Sequence, residues 1–366
     1  EWVKLADFPY NQYASVNDIA IDPNNNSVLY AGTNAGIFKT TDGGLSWEKR
    51  SNGLPVNVEI SRLEIDWRDI SGDAETRTIF AGTGSGLFKS SSSGQSWSRI
   101  DSLDDILPVS TYSIFKLILD PLNPDTLYTM PWNSKNLNAA GLARSLNGGD
   151  SWEKLIFRFP GCPDDTSLCL HNTYLDLHIH PLNSTTLYAS GFAGVQKSTD
   201  MGETWTEMSE GMGFAYPTGG HVIGDLALDP NYPSILYAFT PGCSENMWKT
   251  LNEAQIWEPL PHNPNRECKW TPECTAILSN SQIFTHPIQS GLIFFVGIGI
   301  WVTSDDGQTW KPLNDGLPNP WSYSPMYHIY TDVVFDPQNP SVMYIALYDR
   351  SNLRGAGVWK FVPSGD

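Results

Sequence analysis

The chain has 366 residues, with 40 Asp and Glu against 22 Lys and Arg, for a formal net charge of −18. A surface of that sign repels phosphate backbones, which argues against nucleic acid as a partner. With 31 Gly, 26 Pro, 14 Trp, 15 Tyr, 15 Phe and only 17% charged residues, the composition fits many short strands joined by turns and does not fit helices.

In chain order, residues 1–5, "EWVKL", read as a short strand. They lack the basic-then-apolar pattern of a signal peptide, so an exported form would have lost its leader. The stretch 16–50 then reads as strand ("NDIAID"), Pro/Asn turn, strand ("SVLYAGT"), strand ("GIFKT"), Gly turn and strand ("SWEKR"). This is one four-stranded antiparallel meander. The same order recurs at 60–100, 113–155, 174–208, 222–260, 280–313 and 330–361. The longest apolar stretch, "GLIFFVGIGIWV" at 291–302, is shorter than the ~18 residues that suggest a membrane span and is broken by Gly, so no transmembrane segment is expected.

The unit at 330–361 stops after three strands, and "EWVKL" matches the missing fourth strand. A strand from the start of the chain pairing with the last three would close a ring and remove exposed edges. The expected fold is therefore all-β, a seven-bladed β-propeller of four-stranded antiparallel blades over 1–366, closed by residues 1–5. A solenoid is the alternative; it needs caps at both ends and leaves the displaced strand unexplained.

Between the third and fourth strands a phrase recurs: "TTDGGLSW" at 40–47, "SSSSGQSW" at 90–97, "SLNGGDSW" at 145–152, "STDMGETW" at 198–205 and "TSDDGQTW" at 303–310. These repeats resemble the BNR or Asp-box family, whose consensus is S-x-D-x-G-x-T-W. Asp42 with Trp47, Asp200 with Trp205 and Asp305 with Trp310 carry it well. Asn147 with Trp152 varies it, the copy at 90–97 has Ser92 in the Asp place, and "TLNEAQIW" at 250–257 has lost its Gly. The box is expected to be structural: the Asp or Asn accepts turn N–H bonds, Gly supplies positive φ, and the Trp packs between blades.

The resemblance spans families with different activities. Sialidases carry an Arg trio and an Arg-Ile-Pro stretch, and no Arg-Ile-Pro occurs here. Xyloglucan-type endoglucanases pair two propellers, photosystem assembly factors carry an Arg cluster, and sortilin-like receptors have a larger ring with a Cys-rich domain.

Two candidate sites follow from the blade register. Residues four positions before each "DP" or "HP" turn are Asp18, Arg62, Lys116, Asp176, Asp225, Gln282 and Asp332. All are polar and are expected to line one mouth of the central channel, either as solvated lining or as a converging site. Asp18, Asp176, Asp225 and Asp332 are the candidate catalytic acids, with His171, His221 or His328 as partners. No metal site or cofactor is assigned, though such carboxylates suit calcium.

The second site is the face opposite the boxes, where the longer connections gather. These carry Trp132, Tyr216, His221, Trp270, Trp321, Tyr323 and His328 as ligand-binding candidates, beside Arg62, Lys116 and Gln282. Cys162 with Cys169 and Cys268 with Cys274 are candidate disulfides, with Cys243 left over, which suits an oxidising compartment. The expected function is a secreted, cell-surface or periplasmic binding module for a glycan or an extracellular protein. The alternative is a glycoside hydrolase or polysaccharide lyase using the channel-mouth carboxylates.

Overall fold

The computed structural model describes residues 1–9, 14–68, 76–107, 112–132, 141–155, 176–191, 194–212, 223–240, 246–261, 281–297, 299–318, 328–349 and 356–363. They form seven four-stranded antiparallel sheets, the blades of a seven-bladed β-propeller. Their first strands are Val16–Ile21, Ile60–Ile65, Ser113–Leu119, Asp176–Ile179, Asp225–Leu228, Gln282–Thr285 and His328–Phe335. The seventh sheet takes its fourth strand from the chain start: Trp2–Lys4 pairs with Gly357–Phe361, with Val3 opposite Lys360. A 3-10 helix, Asp101–Ile106, occupies what the sequence suggests is plain loop.

The chain divides into two compact units. One holds residues 1–155 and 330–366, hence blades one, two, three and seven; the other holds 156–329, hence blades four to six. In each unit the core lies between successive blades. Val16, Leu29 and Phe38 of blade one pack with Tyr344, Ala346 and Val358 of blade seven. Leu226, Ala238 and Trp257 of blade five pack with Tyr188 and Val195 of blade four.

The "LYA…FK" grammar has a packing reason. Tyr30, Tyr188 and Tyr237 are buried on second strands, directly opposite Lys39, Lys197 and Lys249 on third strands. Each ammonium stands over the ring, 5.5–5.6 Å from its centroid, a cation–π contact strengthened by burial. Lys197 then reaches Glu253, and Lys249 reaches Asp306, in the box of the next blade. The repeated lysine thus holds its own blade and the next one.

The boxes fold as the sequence implies. Asp42 accepts from Thr40 Oγ1, Ser46 N and Ser46 Oγ at 2.6–2.9 Å, and Asp200 and Asp305 repeat the set. These donors, the hydroxyl first, lower all three carboxyls to about 2. The fifth box works without glycine. Asn252 accepts from Thr250 Oγ1 and Ile256 N, while Glu253 and Ala254 take the two left-handed positions at φ 58° and 70°. The box turns of blades one to five bond to the first hairpin of their own blade, Gly43 N to Ser27 O and Met201 N to Thr185 O among them. Boxes and DP turns therefore share one end of the blade, as the register implies.

Candidate functional site

The polar position four residues before each DP turn is set locally. In blades one to three the ladder shifts register just before it, between Val16 and Asp18, Ile60 and Arg62, and Ile114 and Lys116. Such bulges bend the strand and re-aim its side chains. The residues they release bond across to the next blade: Asn17 Nδ2 donates to Ile60 O, and Ser61 Oγ donates to Ile114 O.

Each aspartate at this position accepts a backbone N–H from the first strand of the following blade. Asp332 Oδ2 takes Ile19 N at 3.1 Å and Asp18 Oδ2 takes Leu63 N at 2.5 Å. Asp225 Oδ2 takes Ile283 N at 2.7 Å, and Asp176 Oδ2 lies 3.5 Å from Leu226 N. The first strand is an edge whose outward N–H groups lack a ladder partner, and a buried unpaired N–H is costly. The carboxylate satisfies that need, so the four candidate acids work as clamps between blades.

In the first unit Asp18, Arg62, Lys116 and Asp332 come together as expected, joined by Glu64, which the sequence reading missed. Arg62 Nη1 lies 3.7 Å from Asp18 Oδ1. Burial, with Asp332 nearby, pushes Asp18 well above the ordinary carboxyl range, against the pull of Arg62. Burial also raises Asp332, opposed first by Arg62. Glu64 is half-buried, and desolvation raises it to about 8, opposed by Lys116 and Arg62. A carboxyl raised this far holds its proton more readily than an ordinary glutamate. Arg62 and Glu64 are two apart on one strand, so period-two alternation was the available signal.

In the second unit Asp176 and Asp225 are joined by His178, also missed. His178 Nε2 lies 2.5 Å from Asp176 Oδ2. The partner histidines considered from sequence were His171, His221 and His328. The first two lie outside the described residues, and His328 opens its strand with a side chain outside them. Gln282, the third polar position of this unit, is half-buried and its Oε1 has no hydrogen-bond partner among the described residues.

Of the loop-face candidates, Trp132 ends the strand Leu127–Trp132, half-buried. Tyr216, Trp270, Trp321 and Tyr323 lie outside the described residues, as do Cys162, Cys169, Cys243, Cys268 and Cys274. Among the described residues no helix is long and apolar enough to cross a membrane.

Seven four-stranded blades, a strand from the chain start completing the last, and a box turn of shared geometry define a class. The chain is a seven-bladed β-propeller whose blades carry turns of the BNR, or Asp-box, type. Its residues 2–123 match the family model described as photosynthesis system II assembly factor YCF48. Among curated proteins it is similar to xyloglucanase Xgh74A of Acetivibrio thermocellus, 22% identical over 64% of this chain and 30% of that protein. The match thus spans less than a third of the relative. Among solved structures, YCF48 from Cyanidioschyzon merolae superposes with a TM-score of 0.61 at 14% identity, covering 99% of this chain and 98% of that one. An ancestral GH74 enzyme gives 0.64 at 19% identity, covering 98% of this chain and 46% of the other. YCF48 bound to D1 peptide gives 0.61 at 16% identity, covering 100% and 97%.

Proposed function

We propose that this propeller is a binding module that takes a protein partner through the long-connection face opposite its Asp boxes, and that it works in an oxidising compartment outside the cytoplasm. The observation that carries this reading is the fate of the channel-mouth aspartates. Asp18, Asp225 and Asp332 each hold a backbone N–H of the neighbouring blade, and a carboxylate fixed in that role is poorly placed to act as a nucleophile or base. Coverage supports the same reading: the chain spans nearly all of the YCF48 propellers, one of them solved with a peptide, and under half of the GH74 enzyme. Cysteines close in sequence, Cys162 with Cys169 and Cys268 with Cys274, would suit the compartment as disulfides, and aromatic residues such as Trp270 and Trp321 in the long connections are of the type that interfaces use.

A glycan partner is the second reading, favoured by the similarity to a xyloglucanase. The test is a peptide array and a glycan array probed with the same purified chain. Peptide binding that is lost in Trp270→Ala or Trp321→Ala and kept in Glu64→Gln is the expected result. Glycan-only binding would replace the protein partner by a sugar. Release of oligosaccharides from a polysaccharide, abolished by Asp176→Asn or Glu64→Gln, would overturn the binding-module reading.

A further inference from the structure

Asp176 and His178 occupy alternate positions of one strand, so both side chains leave the same face of their sheet. Asp225 stands at the equivalent position on the first strand of the next blade. One ligand atom from each of the three lies within 4.8 Å of the others. The carboxylates are oriented by backbone: Asp176 Oδ1 accepts Leu177 N at 3.0 Å, and Asp225 Oδ2 accepts Ile283 N at 2.7 Å. Asp176 is buried, while His178 and Asp225 are half-buried, so the group is reachable from solvent.

A second observation is independent of these three. Ser190 stands directly opposite Asp176 in the strand ladder, and directly opposed residues share a face with their Cβ atoms ~5 Å apart. Ser190 is fully buried and its hydroxyl has no hydrogen-bond partner among the described residues. Buried hydroxyls are normally satisfied, and a ligand held by Asp176 would satisfy this one.

We infer that Asp176, His178 and Asp225 bind a divalent first-row transition metal of the Zn²⁺ or Mn²⁺ class, with the Ser190 hydroxyl bonded to a metal-held water. The donor set decides the class. Calcium takes oxygen ligands, whereas one imidazole nitrogen with two carboxylate oxygens suits borderline cations. Calcium, which carboxylates alone would suit, therefore gives way once His178 is counted.

The test is calorimetric titration of the chelator-stripped full chain with ZnCl₂, MnCl₂ and CaCl₂, and visible spectroscopy of its Co²⁺ form. One saturable site for Zn²⁺ or Mn²⁺, weaker or absent for Ca²⁺, is expected, with ligand-field bands in the Co²⁺ form. His178→Ala leaves both clamp carboxylates in place, so it should fold as the parent does by circular dichroism. It is expected to lose at least ~100-fold in affinity, and Ser190→Ala ~10-fold, as for a residue behind the ligands. Absence of saturable transition-metal binding in the parent, or unchanged affinity in His178→Ala, overturns the site.

Discussion

At the residue scale the chain reuses one electrostatic device, a short acceptor side chain closing a turn, with different chemistry at each copy. Asp22 Oδ1 accepts Asn24 N, and Asp120, Asp229 and Asp336 repeat this in their own DP turns, as does Asp66 in the Asp-Trp turn of blade two. Blades four and six substitute histidine. His180 Nδ1 accepts Leu182 N at 3.2 Å, and His286 Nδ1 accepts Gln289 N at 3.0 Å. An imidazole nitrogen accepts only when unprotonated, and burial lowers the affinity of His180 for its proton. A His with a folded pKa below its unfolded value of about 6.5 binds more protons when unfolded, so stability rises with pH across that window. His180→Asp restores the acceptor without the titration. Urea midpoints of the parent are expected to fall as pH drops below about 6.5, and those of His180→Asp to fall less. An identical slope in the two proteins would show that the turn does not titrate.

At the element scale, a buried ion pair ties blade two to blade one. Arg77, before the second strand of blade two, donates from Nε and Nη2 to both oxygens of Asp22 in the blade-one turn, at 2.7 and 3.1 Å. Both side chains are essentially buried. Breaking such a pair leaves one buried charge uncompensated, at a cost of ~3–5 kcal/mol. Asp22→Ala is expected to destabilise by about that much in urea unfolding. A double variant, Asp22→Ala with Arg77→Met, should recover part of the loss, and no recovery would place the cost in the lost turn instead. The strands and boxes were legible because period-two alternation and the box phrase both repeat in register. The bulges before Asp18, Arg62 and Lys116 were not, because each is fixed by a neighbouring strand and the local sequence does not encode it. The fifth box was read as degenerate because its glycine is gone. Asn252 supplies the acceptor all the same, and Glu253 and Ala254 accept the positive φ. His178 and Glu64 were missed for one reason: aligning blades on a single position hides what stands two residues further on the same face.

At the scale of the whole molecule, residues 1–5 complete the seventh blade. Glu1 and Val362 are joined by reciprocal bonds, Glu1 N to Val362 O and Val362 N to Glu1 O. Trp2 is buried, with its ring 5.3 Å from that of Phe361, and Leu5 N continues the ladder to Val358 O. Without this strand, Gly357–Phe361 would become an open sheet edge, the kind of surface that pairs with other chains. Contacts between residues 361 positions apart form against a large loop-closure entropy, so the buried side chain anchoring them matters to the pairing. Trp→Ala at a buried site costs ~3–5 kcal/mol. Trp2→Ala is therefore expected to lower the urea midpoint by a corresponding amount and, on warming, to yield soluble oligomers seen by size-exclusion chromatography with light scattering. Arg77→Met at matched stability should lower the midpoint without oligomers, because it opens no edge. Equal oligomerisation in both variants would mean that general destabilisation, and not the exposed edge of blade seven, drives association.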